Sequence, residues 1–133
     1  MAKSWLPGKL GRGSRPTNVF VLCTGRCGSV TVATACGHLT NFTAGHETRA
    51  ARILENRFAY PPNHIESDNR LSWHLGGLGQ RFDDKDVLYV HLKRDRDAVA
   101  RSYAKRWDSK FRASMMRAFG HGIVMRSTRA TMR

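Results

Sequence analysis

Long apolar segments are missing from this sequence of 133 residues. No run approaches the roughly 18 apolar residues that a membrane-spanning helix requires. The basic N-terminus also contains no apolar stretch of the kind found in secretion signals. We therefore expect no transmembrane segment. With 41% apolar residues, the chain still has enough hydrophobic side chains to fold as one small domain.

Cysteine is also scarce, since there are only three, Cys23, Cys27 and Cys36. Because their number is odd and they lie close together in the sequence, a disulfide framework is not expected and reduced thiols are favoured. A zinc site is not expected either, because Cys23 and Cys27 have no second close pair of cysteines or histidines. We therefore predict a cytoplasmic protein without a bound metal.

Acidic residues are few, because 10 Asp and Glu stand against 23 Lys and Arg, for a net charge of +13. Such a balance favours polyanionic partners: nucleic acid, phosphorylated cofactors, anionic glycans or an anionic membrane surface. Both ends of the chain lack acids altogether. We divide the chain into a basic N-terminal arm (1–17), a core (18–108) and a basic helical C-terminal segment (109–133).

The core alternates short apolar runs with helical patterns. The runs 18–23 (NVFVLC) and 86–92 (DVLYVHL) are rich in β-branched residues and are typical of strands buried on both faces. A weaker strand is predicted at 41–47. Helices are predicted over 29–39, 48–60, 71–82 and 96–107. Strands that alternate with helices predict an α/β fold with a parallel sheet flanked by helices.

The segment CTGRCGS, residues 23–29, joins the first predicted strand to the first helix. Two glycines, Gly25 and Gly28, permit positive φ angles and close approach to a ligand. The N–H groups at the start of the helix, together with its dipole, form an anion site. Arg26 adds a guanidinium that can hold a phosphate or sulfate oxygen. The candidate contacts are Thr24, Gly25, Arg26, Cys27, Gly28, Ser29 and Val30.

Common nucleotide motifs do not account for this loop. No lysine follows Gly28, so the pattern G-x-x-x-x-G-K-[ST] of triphosphatases is excluded. The dinucleotide pattern G-x-G-x-x-G does not match the spacing of Gly25 and Gly28. No arginine follows Cys23 or Cys27 at the spacing that a phosphatase nucleophile requires. An ordinary strand–turn–helix remains the alternative to an anion loop.

A second anion site is predicted after the strand at 86–92. Arg94 lies at the carboxyl end of that strand, where open parallel sheets place ligands. Ser102 follows about two turns into the next predicted helix. The guanidinium of Arg94 and the hydroxyl of Ser102 can together hold a second phosphate.

The segments GRCGSVT and RDRDAVARS (94–102) together resemble the two signatures of the sulfotransferases that use 3′-phosphoadenosine 5′-phosphosulfate (PAPS). In that family the first segment cradles the 5′-phosphosulfate, and the Arg and Ser of the second bind the 3′-phosphate. The resemblance extends over residues 18 to 107. Cys27 stands where the family usually has Ser, and Arg96 where it usually has Pro. The chain is shorter than typical members, so we expect a short or C-terminally truncated one.

The resemblance implies a sulfotransferase core, similar to the P-loop nucleotide triphosphatases, that transfers a sulfuryl group from PAPS to a hydroxylated acceptor without a metal. Arg26 and the loop amides would stabilise the leaving phosphate, and a base would take the proton of the acceptor. Two clusters supply candidate bases, His46 with Glu47 and His64 with Glu66. The resemblance favours Glu47, but the sequence does not choose between the clusters.

A second interpretation is a non-catalytic basic fragment that binds a nucleotide or nucleic acid. Nucleic acid is not the expected partner, because few aromatic residues alternate with the basic residues of the C-terminal segment. The apolar residues of that segment instead predict a helix that can self-associate. Of Phe58, Tyr60 and Trp73, at least two are expected in the core, and the remaining one is a candidate for an acceptor cleft.

Overall fold

The computed structural model describes residues 16–82 and 86–122. The strands are β1 (Asn18–Leu22), β2 (Thr43–His46), β3 (His64–Ser67) and β4 (Val87–His91). The α-helices are α1 (Ser29–Cys36), α2 (Leu75–Arg81), α3 (Arg96–Ala104) and α4 (Ser109–Gly122). Short 3-10 helices occupy Leu54–Arg57 and Asn69–Trp73. All strand pairs are parallel, in the order β2-β3-β1-β4. The predicted α/β class with a parallel sheet is confirmed.

Strand β1 lies inside the sheet, between β3 and β4. Its side chains alternate between the two faces of the sheet, and Phe20 is fully buried in the core with Tyr60, Leu71 and Leu78. The ring of Phe20 meets that of Tyr60 edge-on at 5.3 Å between centroids. Helix α1 packs against β2 and β3. The residues that follow β1 are therefore held on a rigid central strand.

Two predicted helices differ from the structure. No α-helix forms over 48–60, because Leu54 has a φ of 54° and Arg57 is drawn into the core by Asp68 and Tyr60. The helix expected over 71–82 is divided at His74, whose φ of −122° and ψ of 27° are not helical. The 3-10 helix before this break, Asn69–Trp73, is capped at its N-terminus by Asp68, whose carboxylate accepts the N–H of Arg70.

The two strands at positions 64–67 and 87–91 also depart from expectation. The periodicity did not predict β3, because three of its four residues, His64, Glu66 and Ser67, are polar. All four are nevertheless buried. Strand β4 was expected to be covered on both faces but lies at an edge of the sheet. It is only half-buried, and Val90 and His91 are exposed.

The ends of the chain are described only in part. Of the arm predicted over 1–17, only Pro16 and Thr17 belong to the described residues, and positions 123–133 of the C-terminal segment lie outside them as well. Helix α4 begins at Ser109, where the C-terminal segment was expected to begin. Within the described ranges, no helix combines the length and the apolar character that crossing a membrane requires.

Candidate anion-binding and catalytic site

The four parallel strands end at one edge of the sheet, and the residues that follow them converge there. A cavity of about 450 Å³ opens at this edge, a size typical of small-molecule sites. The predicted residues that line it are Gly25, Arg26, Gly28, Ser29, Val30, His46, Glu47 and Arg94. Eight of the candidates from the sequence thus share one cavity.

The loop between β1 and α1 has an unusual backbone. Gly25, Arg26 and Gly28 have φ angles of 86°, 55° and 94°. Gly28 directly precedes α1, and within the described residues no side chain caps that helix. The first N–H groups of α1 therefore remain for an anion. A side chain at Gly25 would also displace Tyr103, since its Cβ would collide with the Tyr103 hydroxyl.

The loop contacts the second predicted anion segment directly. The Arg26 Nε donates a hydrogen bond to Ser102 Oγ at 2.9 Å. The Arg94 Nη1 donates to the carbonyl oxygen of Arg26 at 2.9 Å. Tyr103 donates its hydroxyl proton to the carbonyl of Thr24 at 3.0 Å, and burial raises the pKa of Tyr103, which keeps it a donor. The two segments, far apart in sequence, therefore form one structure.

Three of the predicted contacts do not line the main cavity. Cys27 Sγ donates to the carbonyl oxygen of Gly25 at 3.2 Å and lies 3.4 Å from Thr24 Oγ1. Ser102 is engaged by Arg26. Thr24 lines a neighbouring cavity of about 320 Å³. In this conformation Thr24, Cys27 and Ser102 brace the loop and do not face the main cavity.

His46 and Glu47 both line the cavity. They do so although strand β3 separates β2 from β1 in the sheet. His46 Nε2 is 3.0 Å from Ser29 Oγ and 4.0 Å from Glu47 Oε1. The other carboxylate oxygen, Glu47 Oε2, accepts a hydrogen bond from Arg70. The side chains of His46 and Glu47 are 28% and 29% exposed, so a substrate can reach both.

His64 and Glu66, the other candidate bases, are buried and do not line the cavity. The Glu66 carboxylate accepts the N–H and the hydroxyl of Thr48, each at 2.7 Å. It also lies 2.9 Å from His64 Nε2, and His64 Nδ1 lies 2.8 Å from the hydroxyl of Thr43. The carboxylate therefore has three protein partners and no solvent exposure, an arrangement that stabilises β3 in the sheet.

Glu66 gives the fold a specific acid sensitivity. Burial raises the pKa of Glu66, but hydrogen bonds from His64 and Thr48 outweigh it, and the pKa lies below its ordinary value of 4.5. A lowered pKa stabilises the folded state above the unfolded-state value, and that contribution is lost as pH falls through the folded-state value. We expect Glu66→Gln to lower the free energy of unfolding by about 1–3 kcal/mol at neutral pH.

The difference between the parent and the Glu66→Gln variant should shrink in acid, because the parent carboxylate is then protonated too. Urea unfolding across a pH series from neutral to acid would measure it. A difference in stability that stays constant throughout the pH series would contradict the assignment of the acid sensitivity to Glu66.

Part of the cavity wall was not foreseen from the sequence. It comes from the segment after β3, from helices α3 and α4 and from the residues between these two helices: Asn69, Arg70, Tyr103, Arg106, Phe111, Ser114 and Met115. The first two were missed because β3 itself was not predicted. Trp73, 38% exposed, also lines the cavity, whereas Tyr60 is in the core and Phe58 packs against it.

Comparisons with protein-family models, with curated proteins and with solved structures found no match for this chain. In the described ranges, no group of three or more His, Cys, Asp or Glu side chains is placed to hold a metal ion. The described cavity lining contains four arginines, Arg26, Arg70, Arg94 and Arg106, and a single carboxylate, Glu47. Because Glu47 is paired with Arg70, the cavity is suited to anions.

Proposed function

We propose that the chain binds PAPS in this cavity and transfers its sulfuryl group to a hydroxylated acceptor. One observation carries the proposal: the Arg26 side chain contacts Ser102, and Arg94 contacts the Arg26 carbonyl, both at 2.9 Å. Two segments that bind opposite ends of one nucleotide must lie side by side at a cavity. Contact between the loop and the Arg94–Ser102 segment meets that requirement.

The donor groups fit a nucleotide with two anionic ends. The loop amides, the first N–H groups of α1 and the Arg26 guanidinium would hold the 5′-phosphosulfate. Arg94 lines the cavity and would hold the 3′-phosphate, and the Ser102 hydroxyl would join it after releasing its hydrogen bond with Arg26. PAPS supplies the activated sulfuryl group and the leaving phosphate. The protein contributes alignment and charge stabilisation, which need no covalent chemistry by its side chains.

The two bases that line the cavity, Glu47 and His46, are the candidates for taking the acceptor proton. Arg70 holds one oxygen of Glu47, and Ser29 lies within hydrogen-bonding distance of His46. Both side chains therefore have fixed positions at the same rim. His64 and Glu66 are not proposed for this role, because both are buried away from the cavity.

Glu47→Gln is expected to lower the rate of sulfuryl transfer about 100-fold or more, the usual contribution of a general base, with little change in nucleotide affinity. The measurement is formation of adenosine 3′,5′-bisphosphate from PAPS, together with free sulfate when water is the acceptor and with the sulfated product when a hydroxylated compound is the acceptor. Glu55→Gln makes the same chemical change on an exposed side chain outside the cavity and is the control. A rate unchanged by Glu47→Gln but lost in His46→Gln would assign the base to His46.

Calorimetric titration tests the nucleotide site itself. We expect adenosine 3′,5′-bisphosphate to bind about 100-fold more tightly than adenosine 5′-phosphate, because two charge-assisted contacts depend on the 3′-phosphate. Equal affinities would contradict the proposal. The affinity should fall less steeply with salt than that of a protein that binds nucleic acid through many basic residues.

The second candidate function is a basic module that binds nucleic acid or a nucleotide without turnover. It is favoured by exposed basic side chains on and beside α3 and α4: Lys93, Arg94, Arg96, Arg101, Lys105, Arg106, Lys110, Arg112 and Arg117. Tight binding of an oligonucleotide with a steep salt dependence, without formation of adenosine 3′,5′-bisphosphate from PAPS, would support this function. Self-association through the 109–133 segment is compatible with both functions.

Cys23, Cys27 and Cys36 are free thiols. Free thiols are stable in a reducing compartment, and we include a cytoplasmic location in the proposal. Determining where the tagged full chain accumulates in cells would test it.

A further inference from the structure

Two thiols lie in the anion loop, and the proposed transfer reaction uses neither of them. Cys23 Sγ accepts the N–H of Gly25 at 3.4 Å, and Cys27 Sγ donates to the carbonyl of the same glycine at 3.2 Å. Both sulfurs therefore contact the backbone of the same glycine. The N–H of Gly25 thus contacts one sulfur and its carbonyl oxygen contacts the other, within one short turn. Cys36 is the last residue of α1, away from this turn.

The two thiols differ in their exposure to an oxidant. Cys27 is half-buried, whereas Cys23 is only 3% exposed. Burial, the largest effect, raises the pKa of Cys23, so Cys23 is less reactive towards a soluble oxidant than an exposed thiol. A soluble oxidant therefore meets Cys27 first, with Cys23 behind it. An accessible thiol with a second thiol nearby on the same turn is the arrangement of reversible redox sites.

We propose that Cys23 and Cys27 form a reversible disulfide across the anion loop when the protein meets a peroxide. With hydrogen peroxide, the sulfur of Cys27 attacks one oxygen, the O–O bond breaks, and sulfenic acid and water form. The sulfur of Cys23 then attacks the Cys27 sulfur, which forms the S–S bond and releases a second water. Two thiols and one peroxide thus give one disulfide and two waters, and a thiol reductant reverses the change.

The disulfide changes the loop that binds the anion. Its sulfurs must approach to about 2.05 Å, and Cys27 loses the S–H that it donates to the Gly25 carbonyl. Gly25 and Arg26 lie between the two cysteines and have positive φ angles, so closing the ring resets their backbone. The Arg26 guanidinium then loses the position in which it contacts Ser102. Oxidation is therefore expected to weaken anion binding.

Peptide mapping of the full chain tests the disulfide. The protein is treated with one equivalent of hydrogen peroxide under native conditions, alkylated and digested with trypsin. Trypsin cleaves after Arg26, between the two cysteines, so the disulfide joins peptides 13–26 and 27–49. Because Cys36 lies in the second peptide, fragmentation of the joined peptides must place the link at Cys27 and the alkyl group at Cys36.

The Cys36→Ser variant is the matched control and should form the same link in the same yield. A link through Cys36, a link between two chains, or peroxide-treated protein whose Cys27 stays alkylatable would overturn the proposal. The peptide map does not depend on nucleotide binding, so a failure of the proposed function would leave its result unaffected.

A binding measurement tests the consequence for the loop. The oxidised chain should bind adenosine 3′,5′-bisphosphate at least about 10-fold more weakly than the reduced chain, which corresponds to loss of roughly one hydrogen bond to a charged group. Dithiothreitol should restore the affinity, and Cys23→Ser should abolish the sensitivity to peroxide. Equal affinities of the oxidised and reduced chains would show that the disulfide does not reset the loop.

Discussion

Replacement of Arg94 by alanine is expected to weaken binding of adenosine 3′,5′-bisphosphate about 100-fold, or about 2.7 kcal/mol. Arg94 loses two contacts in this variant: the proposed bond to the 3′-phosphate and the 2.9 Å hydrogen bond to the Arg26 carbonyl. Hydrogen bonds to charged groups contribute about 1.5–3 kcal/mol each. Binding of adenosine 5′-phosphate should fall much less, because only the hydrogen bond from Arg94 to the Arg26 carbonyl is lost for this nucleotide.

Arg96→Ala is the control, because it removes the same charge two positions away. Arg96 is exposed and is the first residue of α3, outside the cavity lining. We expect its affinity to remain within about 2-fold of the parent at constant salt, since a lone surface charge contributes little. Calorimetry with both nucleotides measures the two effects. Equal losses in the two variants would indicate attraction by net charge instead of a phosphate site.

Replacement of Arg57 by methionine is expected to lower the free energy of unfolding by about 3–5 kcal/mol. Arg57 is 1% exposed and Asp68 is 0% exposed, and their side chains meet at 2.6 Å. Arg57 Nη1 also donates to the hydroxyl of Tyr60 at 2.9 Å. Without the guanidinium, the buried Asp68 carboxylate keeps only the more distant Arg70 Nε, at 4.0 Å, and the loss of its close charge partner costs more than the pair contributes.

The double variant Arg57→Met with Asp68→Asn should recover part of this loss, because the asparagine carries no charge and can still accept the N–H of Arg70. Arg52→Met, on an exposed side chain, is the matched control and should change stability by no more than about 0.5 kcal/mol. Urea unfolding at neutral pH measures all three variants. Equal stabilities of the Arg57→Met and Arg52→Met proteins would contradict the prediction.

The buried pair also connects the core to the candidate site. Asp68 follows β3, and its second oxygen accepts the Arg70 N–H at 2.8 Å. The Arg70 side chain in turn holds Glu47 at the rim of the cavity. A variant that keeps the fold but loses the hydrogen bond between Asp68 and the Arg70 N–H is therefore expected to slow sulfuryl transfer more than it weakens nucleotide binding.

Much of the candidate site could be predicted from short-range patterns. The glycines at positions 25 and 28 predicted a loop with positive φ angles after a strand, because glycine adopts such angles without steric cost. The position of Arg94 after the second apolar run placed it at the carboxyl edge of the sheet. Loop 23–29 and Arg94 do meet at one cavity. Their binding of PAPS remains a prediction.

The sequence by itself thus determined the α/β class, the loop and the edge of the sheet, because these depend on local chain geometry and on runs of apolar residues. Only the tertiary structure decided that β3 enters the sheet between β1 and β2, that Arg57 ends in the core, and that Glu47 and not Glu66 faces the cavity. Burial of a polar side chain depends on partners distant in the chain, as Glu66 depends on Thr48. Hydrophobic periodicity depends only on the spacing of apolar residues, so it does not predict such partners.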